Sequence, residues 1–291
     1  RLDIPAIIIV GGPMEGGCQF DHRAADTTSL TEALGMMQTG QVDEETYLRL
    51  ENEATPTCGS CSFLGTANTM CCIAEAMGMS LPGSASIPAT HAERNRAAQA
   101  TGRRIVEMVH EGLTARQIIN QKSIENGLRL STAIGGSTNT ALHMPAIAYE
   151  AECEMDMDLF EKLCSTTPHI ARMNPAAAAN VPDFHAAGGV QAVMKEILPL
   201  LHSDARTVTG HTVAENLDGV QNGNRSIVRP LAEPWSAGGG LAILRGNLAP
   251  DTGITKPAAI TPAMQTFTGA ARCFDGGESA NQAILQGVIQ A

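Results

Sequence analysis

Ile4-Pro5-Ala6-Ile7-Ile8-Ile9-Val10, closed by Gly11-Gly12-Pro13, is the stretch on which the fold class turns. A short continuous apolar run bounded by turn residues reads as a strand covered on both faces, the pattern of a parallel sheet. Parallel strands need helical crossovers, and the sequence downstream supplies helices. Polar, acidic sequence from Asp21 to Glu53 predicts one or two surface helices. After Thr66 the apolar residues Met70, Ile73, Ala74 and Met77 fall at i, i+3, i+4 and i+7, with Gly78 as the stop and Pro82 beyond: a buried helix.

Further along, Thr90 with Glu93 predicts a capping box opening a helix that runs to about Glu111, with Gly112 ending it. Ile118 to Leu130 and Asn139 to Ala151 read as helices, and Asp158 and Asp183 as N-caps of two more. Beyond about Asn222 the character changes. Leu241-Ala242-Ile243-Leu244, Ala258-Ala259-Ile260 and Ala270 to Phe274 read as short strands between Gly, Pro, Asn and Asp. The expected architecture is α/β: a helix-rich N-terminal domain around a parallel sheet over residues 1–220, then 221–291 as the start of a second domain, the change of character lying between 205 and 235.

Composition bounds the function. Hydrophobic residues make up 43% of the 291, enough for a real core, while charged residues at 17% fall below the roughly 25% usual for soluble domains. That shortfall predicts surface covered by another chain or by further sequence. A net charge of −11 argues against a nucleic-acid groove. No apolar run reaches the ~18 residues of a membrane span, and no signal-peptide pattern opens the chain. Eight irregularly spaced cysteines read as thiols of a reducing compartment, by default the cytoplasm. The chain opens without Met and stops just after a helix pattern, so both ends read as cut.

Thr57-Cys58-Gly59-Ser60-Cys61-Ser62 leads directly into the helix from Thr66. A thiolate ahead of a helix meets backbone amides and the positive dipole end, which favours metal ligation. Several readings stay open: a redox dithiol of Cys58 and Cys61, a zinc site, an iron–sulfur ligand, or inert thiols. Gly135-Gly136-Ser137-Thr138-Asn139-Thr140 precedes another helix, and its small residues and hydroxyls suit a carboxylate or phosphate, or simply a capped tight turn. His91 and His185, near helix starts, read as cap or core partners. Gly11 to Gly17 lacks GxGxxG spacing, and no Walker GK[ST] or Gly-x-Ser-x-Gly exists.

These segments together resemble one family. Ile4-Pro5-Ala6-Ile7 with Gly11-Gly12-Pro13-Met14, Pro56 to Ser62 with Thr66-Ala67-Asn68-Thr69-Met70, Glu75 to Gly83, and Gly135 to Thr140 look like the dihydroxy-acid and 6-phosphogluconate dehydratases. So do Asp183 with Ala187-Gly188-Gly189, and Gly239 to Ala242 with Gly246-Asn247-Leu248-Ala249. The resemblance implies a hydro-lyase, with homodimers as the assembly, that converts a 2,3-dihydroxy carboxylate or sugar acid to a 2-keto acid. A β-barrel-like C-terminal domain is implied too. An iron–sulfur cluster, [2Fe–2S] or [4Fe–4S], acts there as Lewis acid on the C3 hydroxyl, Mg²⁺ holds the carboxylate, and a serine alkoxide is the base. By position Cys61 would be a cluster ligand, Cys58 its neighbour, and Ser137, Thr138 and Asn139 substrate-binding. The family's Cys-Asp-Lys motif would lie upstream of Arg1 and its serine base after Ala291. No catalytic residue is therefore expected in these 291 residues, and the chain alone is expected to be inactive. A thiol–disulfide protein or a non-catalytic scaffold piece are the alternatives.

Overall fold

The computed structural model describes residues 2–289. They form two compact units, one of residues up to Glu15 with Thr57–Ala259, the other of Gly16–Pro56 with the segment from Ile260.

The larger unit is helical. In chain order it holds α1 (Thr66–Ala76), α2 (Ala92–Glu111), α3 (Ala115–Ile118), α4 (Gln121–Ala133), α5 (Thr140–Glu150), α6 (Met157–Ser165), α7 (Val181–Ala186), α8 (Gly189–Glu196) and α9 (Val213–Asn216). An antiparallel hairpin of β1 (Ala242–Gly246) and β2 (Ala249–Thr255) follows. Helix α1 forms where its periodicity predicts, and Gly78 ends it at φ +78°, with Thr207 so close that a Cβ there would sit 2.8 Å from Cγ2.

Helix α1 is buried on two sides. Cys72 and Ala76 join Leu130, Ala133, Phe184, Val190 and Val193 in one core cluster. Ile73 and Met77 join Ile124, Leu128, Met144, Phe160, Leu163 and Ile243 in a second. The two helices α1 and α4 approach closely because α4 carries Gly127, where a Cβ would stand 2.8 Å from Met77 Cγ. A mid-helix glycine is unfavourable by about 1 kcal/mol relative to alanine, and the close packing is what it gains.

Glu75 is buried on the same helix, and burial pushes its carboxyl pKa up. It stays hydrogen-bonded, accepting from the amides of Gly83 (2.8 Å) and Ala85 (2.7 Å) and from Gln191 Nε2 (2.6 Å). Arg94 of α2, also buried, donates to the carbonyls of Ser84 and Ile87. Two charged side chains thus satisfy the backbone of a buried loop that would otherwise leave polar groups unpaired.

Several expectations move. No parallel sheet forms among the described residues, and Ile4–Val10 is in no strand. Pro5 lacks a donor, and no neighbouring strand lies alongside; the run instead sends Ala6 and Ile7 against Met79, Met108, Leu113, Ile118 and Val208. Ile8 and Ile9 are left 42% and 41% exposed, so this segment is not covered on both faces. Ala258 and Ala259 lie in a 3₁₀ turn, Ala270 to Phe274 in no element, and the paired strands form no closed barrel. Caps slip by one to three residues. His91 rather than Thr90 caps α2, and the caps expected at Asp158 and Asp183 fall on Asp156 and Asn180. Asp183 serves instead from the third helical position, accepting from the Asn180 amide at 2.8 Å. At the other end of α2 Gly112 stands at φ +67°, as its position predicts.

The smaller unit contains β3 (Gln19–Phe20) paired antiparallel with β4 (Arg23–Ala24), then α10 (Thr27–Gln38) and α11 (Glu44–Glu53), the two expected surface helices. Ala25, Ala33, Leu50 and Ala54 make its small core. Its last helix is α12 (Gly277–Leu285).

Replacing Glu75 by Ala strands the buried amide of Ala85 and the half-buried amide of Gly83. We expect a loss of about 2–4 kcal/mol in urea unfolding, with Glu75→Gln losing clearly less; equal losses would remove the hydrogen-bonding role.

Candidate functional site: the Cys61 cavity

The loop before α1 is held by the first turn of the helix itself. Asn68 is buried, and its Nδ2 donates to the carbonyls of Cys61 and Phe63 while its Oδ1 accepts from Ser60 Oγ at 2.7 Å. Ser60 in turn bonds the Gly12 carbonyl through its amide (2.9 Å), and its own carbonyl accepts from Met14 N at 2.8 Å. The chain can pass Met14 only because residue 59 is glycine: φ is +135°, and a Cβ would fall 2.4 Å from Met14 N. On the other side Leu64 N donates to Asn174 O and Val181 N to Ser62 O. Cys61 is therefore fixed on both flanks, half-buried, while Cys58 is exposed.

Cys61 lines a cavity of about 620 Å³. One wall is the loop and the first turn of α1, Phe63 to Asn68; the others are Ser137, Thr138, Pro175 and Lys256. Ser137 Oγ lies 3.0 Å from Thr66 Oγ1, and Ser137 N donates to Thr69 Oγ1 at 3.0 Å. Of the three residues marked in the second motif, Ser137 and Thr138 face the cavity. Asn139 is exposed outside it and donates from Nδ2 to Thr66 Oγ1 at 2.8 Å. The turn before them is tight: at Gly136 a Cβ would meet Ser131 Oγ at 2.5 Å, and Gly135 (φ +60°) lies against His169.

Sequence reasoning missed Asn68, His169 and Lys256. His169 is buried, and burial, with Arg172 and Lys256 nearby, drops its pKa to about 4; its Nε2 has no hydrogen-bond partner among the described residues. Lys256 is half-buried directly after β2, and desolvation lowers its ammonium to about 8. Neither carried a motif; only the fold brings them beside Gly135–Thr138. His91 and His185 pair with carboxylates instead, His91 Nε2 with Glu15 at 3.1 Å and His185 Nε2 with Glu93 at 3.3 Å. A second cavity of about 550 Å³ is walled largely by Met70, Ala115, Ile119, Ala146 and Ile147, and none of the marked residues reaches it.

Comparison with known proteins gives the family. The N-terminal domain of the dihydroxy-acid/6-phosphogluconate dehydratases matches residues 1–216, and their C-terminal domain matches residues 226–291. The chain belongs to this dehydratase family. It is 45% identical to a dihydroxy-acid dehydratase of Methanococcoides burtonii across the whole chain, which covers 53% of that protein. Dihydroxy-acid dehydratases of Caldanaerobacter subterraneus and Syntrophobacter fumaroxidans are 43% and 45% identical, again over the whole chain and 52% of each relative. The chain thus spans about half the length of the curated relatives it matches. No helix among the described residues is long and apolar enough to cross a membrane.

An iron–sulfur cluster and Mg²⁺, implied by the resemblance to the dehydratases, can be tested against the residues present. Cys61 is the only cysteine on the cavity wall, and no three His, Cys, Asp or Glu side chains gather to hold a metal among the described residues. One thiol does not hold a cluster. The residues of this chain do not by themselves fit either group.

Two outcomes follow. Asn68→Ala is expected to destabilise by about 2–3 kcal/mol and to speed alkylation of Cys61 by iodoacetamide in the unmetallated protein; an unchanged rate would detach Asn68 from the loop. His169 is neutral at pH 7 in both states. The unfolded imidazole takes up a proton below about 6.5, the folded one only near 4, so stability present above 6.5 is lost as pH falls towards 4. The full loss is about 3 kcal/mol, read from urea midpoints against pH, and His169→Gln is expected to flatten that slope.

Proposed function

We propose that this chain is the cavity-bearing part of a hydro-lyase that dehydrates a 2,3-dihydroxy carboxylate, a dihydroxy acid or a sugar acid, to a 2-keto acid. The observation that carries the reading is the Cys61 cavity, which a cysteine fixed on both flanks shares with Ser137 and Thr138 at the start of a buried helix, in a chain whose full length aligns with dihydroxy-acid dehydratases. Ser137 and Thr138 bind the substrate from the wall, and Asn139 belongs to the same subsite by orienting Thr66. Their hydroxyls and the first amides of α1 suit carboxylate oxygens.

Cys61 supplies one thiolate to an iron–sulfur cluster, of the [2Fe–2S] or [4Fe–4S] kind, whose other ligands belong to the rest of the full-length protein. Mg²⁺ is bound mostly by residues outside this chain, as is the general base. The 291 residues alone are then inactive. Ile4–Val10, half uncovered and in no strand, completes a parallel sheet with that further sequence, and residues after about 220 begin a β-barrel-like domain. The enzyme works as a homodimer in the cytoplasm; the exposed Leu142 and Tyr149 on α5 are apolar surface of the kind a second copy covers.

Full-length protein purified without oxygen is expected to be brown, with visible charge-transfer absorption, and to dehydrate a dihydroxy carboxylate. Cys61→Ser is expected to lose the colour and at least about a hundredfold in kcat, while Cys58→Ser keeps both. Colourless wild-type protein with a reversible Cys58–Cys61 disulfide would instead make it a thiol–disulfide protein.

A further inference from the structure

The cavity wall carries one cationic side chain. Among the residues that line it, Lys256 alone is ionised by nature, and its ammonium has no ion pair and no side-chain hydrogen bond among the described residues. A half-buried lysine normally pairs with a carboxylate or reaches water past its own stem. Here the position is fixed by the backbone. The β1–β2 hairpin is anchored by Ile243 and Ile254 in the second core cluster, and the 3₁₀ turn Pro257–Ala259 starts immediately after Lys256, with Ala259 N bonded back to its carbonyl. Ala258 packs against the Gly135 turn, where a Cβ on Gly135 would meet its Cβ at 3.2 Å, so the lysine is delivered beside Ser137 and Thr138.

The neighbouring imidazole keeps the charge single. Buried His169 is held neutral near physiological pH, partly by Lys256 itself, so the imidazole adds no second side-chain cation there. An unpaired ammonium in a partly desolvated pocket is a costly arrangement unless a ligand supplies the counter-charge.

We propose that Lys256 is the substrate-binding side-chain cation of this cavity, its Nζ pairing with the carboxylate of the hydroxy acid beside the Mg²⁺ of the dehydratase reading, while the hydroxyls of Ser137 and Thr138 donate to the same group. The inference rests on the dehydratase reading and adds to it the residue that selects for an acid over an uncharged polyol. The lowered pKa, about 8, fits an ammonium deprived of water and partner, and a bound carboxylate would raise it again.

The test uses the full-length holoenzyme as wild type, Lys256→Met and Lys256→Arg. The probes are 2,3-dihydroxybutanoate and D-gluconate as substrates, with 2,3-dihydroxybutanamide and gluconamide as uncharged inhibitors. For whichever acid the wild type turns over, Lys256→Met is expected to raise KM about ten- to a hundredfold with kcat within about threefold. Inhibition by the matching amide is expected to stay unchanged, and Lys256→Arg to recover most of the KM. An unaltered KM in Lys256→Met, or an equal weakening of acid and amide, overturns the lysine's role while leaving the dehydratase reading intact. A brown wild-type enzyme that acts on neither acid nor any other dihydroxy carboxylate takes both down. Should Lys256→Met fail to fold, Lys256→Gln carries the same comparison, its melting curve first matched to wild type.

Discussion

Asn68 ties the molecule's chemistry to its core. One primary amide in the first turn of α1 holds the carbonyls on either side of Ser62 and the hydroxyl of Ser60, so the position of Cys61 is set by a helix rather than by a loop. That helix cannot shift, because its two faces belong to two different clusters of core residues and its far end is braced by Glu75 against the buried loop at 83–85. The same loop meets Gly12 and Pro13, where Ala89 N donates to Pro13 O, and Gly12 accepts from Ser60. The support therefore closes on itself: helix, buried loop, extended segment, cysteine loop, helix. A site on such a frame is preorganised, which is what positioning a reactive thiol requires.

Glycines make the frame possible at its tightest points. Gly59 lets the cysteine loop pass Met14, and Gly127 lets α4 lie against α1. A single methyl group would collide with the backbone of Pro13 and Met14 in the first place and with the packed side chains of Met77 and Ile73 in the second. Buried polar groups do the complementary work, since the loops of this unit run through the interior and their amides and carbonyls need partners that water cannot supply.

Much of this was legible and some was not, for reasons that lie in the residues. Helix α1 could be read because Met70, Ile73, Ala74 and Met77 repeat at the helical period and Gly78 allows the left-handed exit. The end of α2 at Gly112 was legible for the same reason. Its start was not: Thr90 and Glu93 have the spacing of a capping box, yet the helix begins one residue later and Glu93 turns to His185. Ile4–Val10 misled because a continuous apolar run reports burial and says nothing about who pairs with the backbone. The cysteine and hydroxyl motifs announced themselves by type and spacing. Lys256 and His169 carried no signal, because a lone lysine after a strand and a lone histidine before Ile170 become neighbours of Gly135 only through long-range packing.

The uncovered isoleucines at positions 8 and 9 have a consequence for handling the molecule. Between Ile4 and Val10 the described backbone bonds are few, Ile8 N to Met79 O and Ile4 O to Ala115 N, so the segment presents both sticky side chains and vacant ladder positions to whatever extended peptide comes near. Produced as these 291 residues only, the polypeptide would meet copies of itself with the same vacancy, and strand-by-strand self-association would compete with solubility.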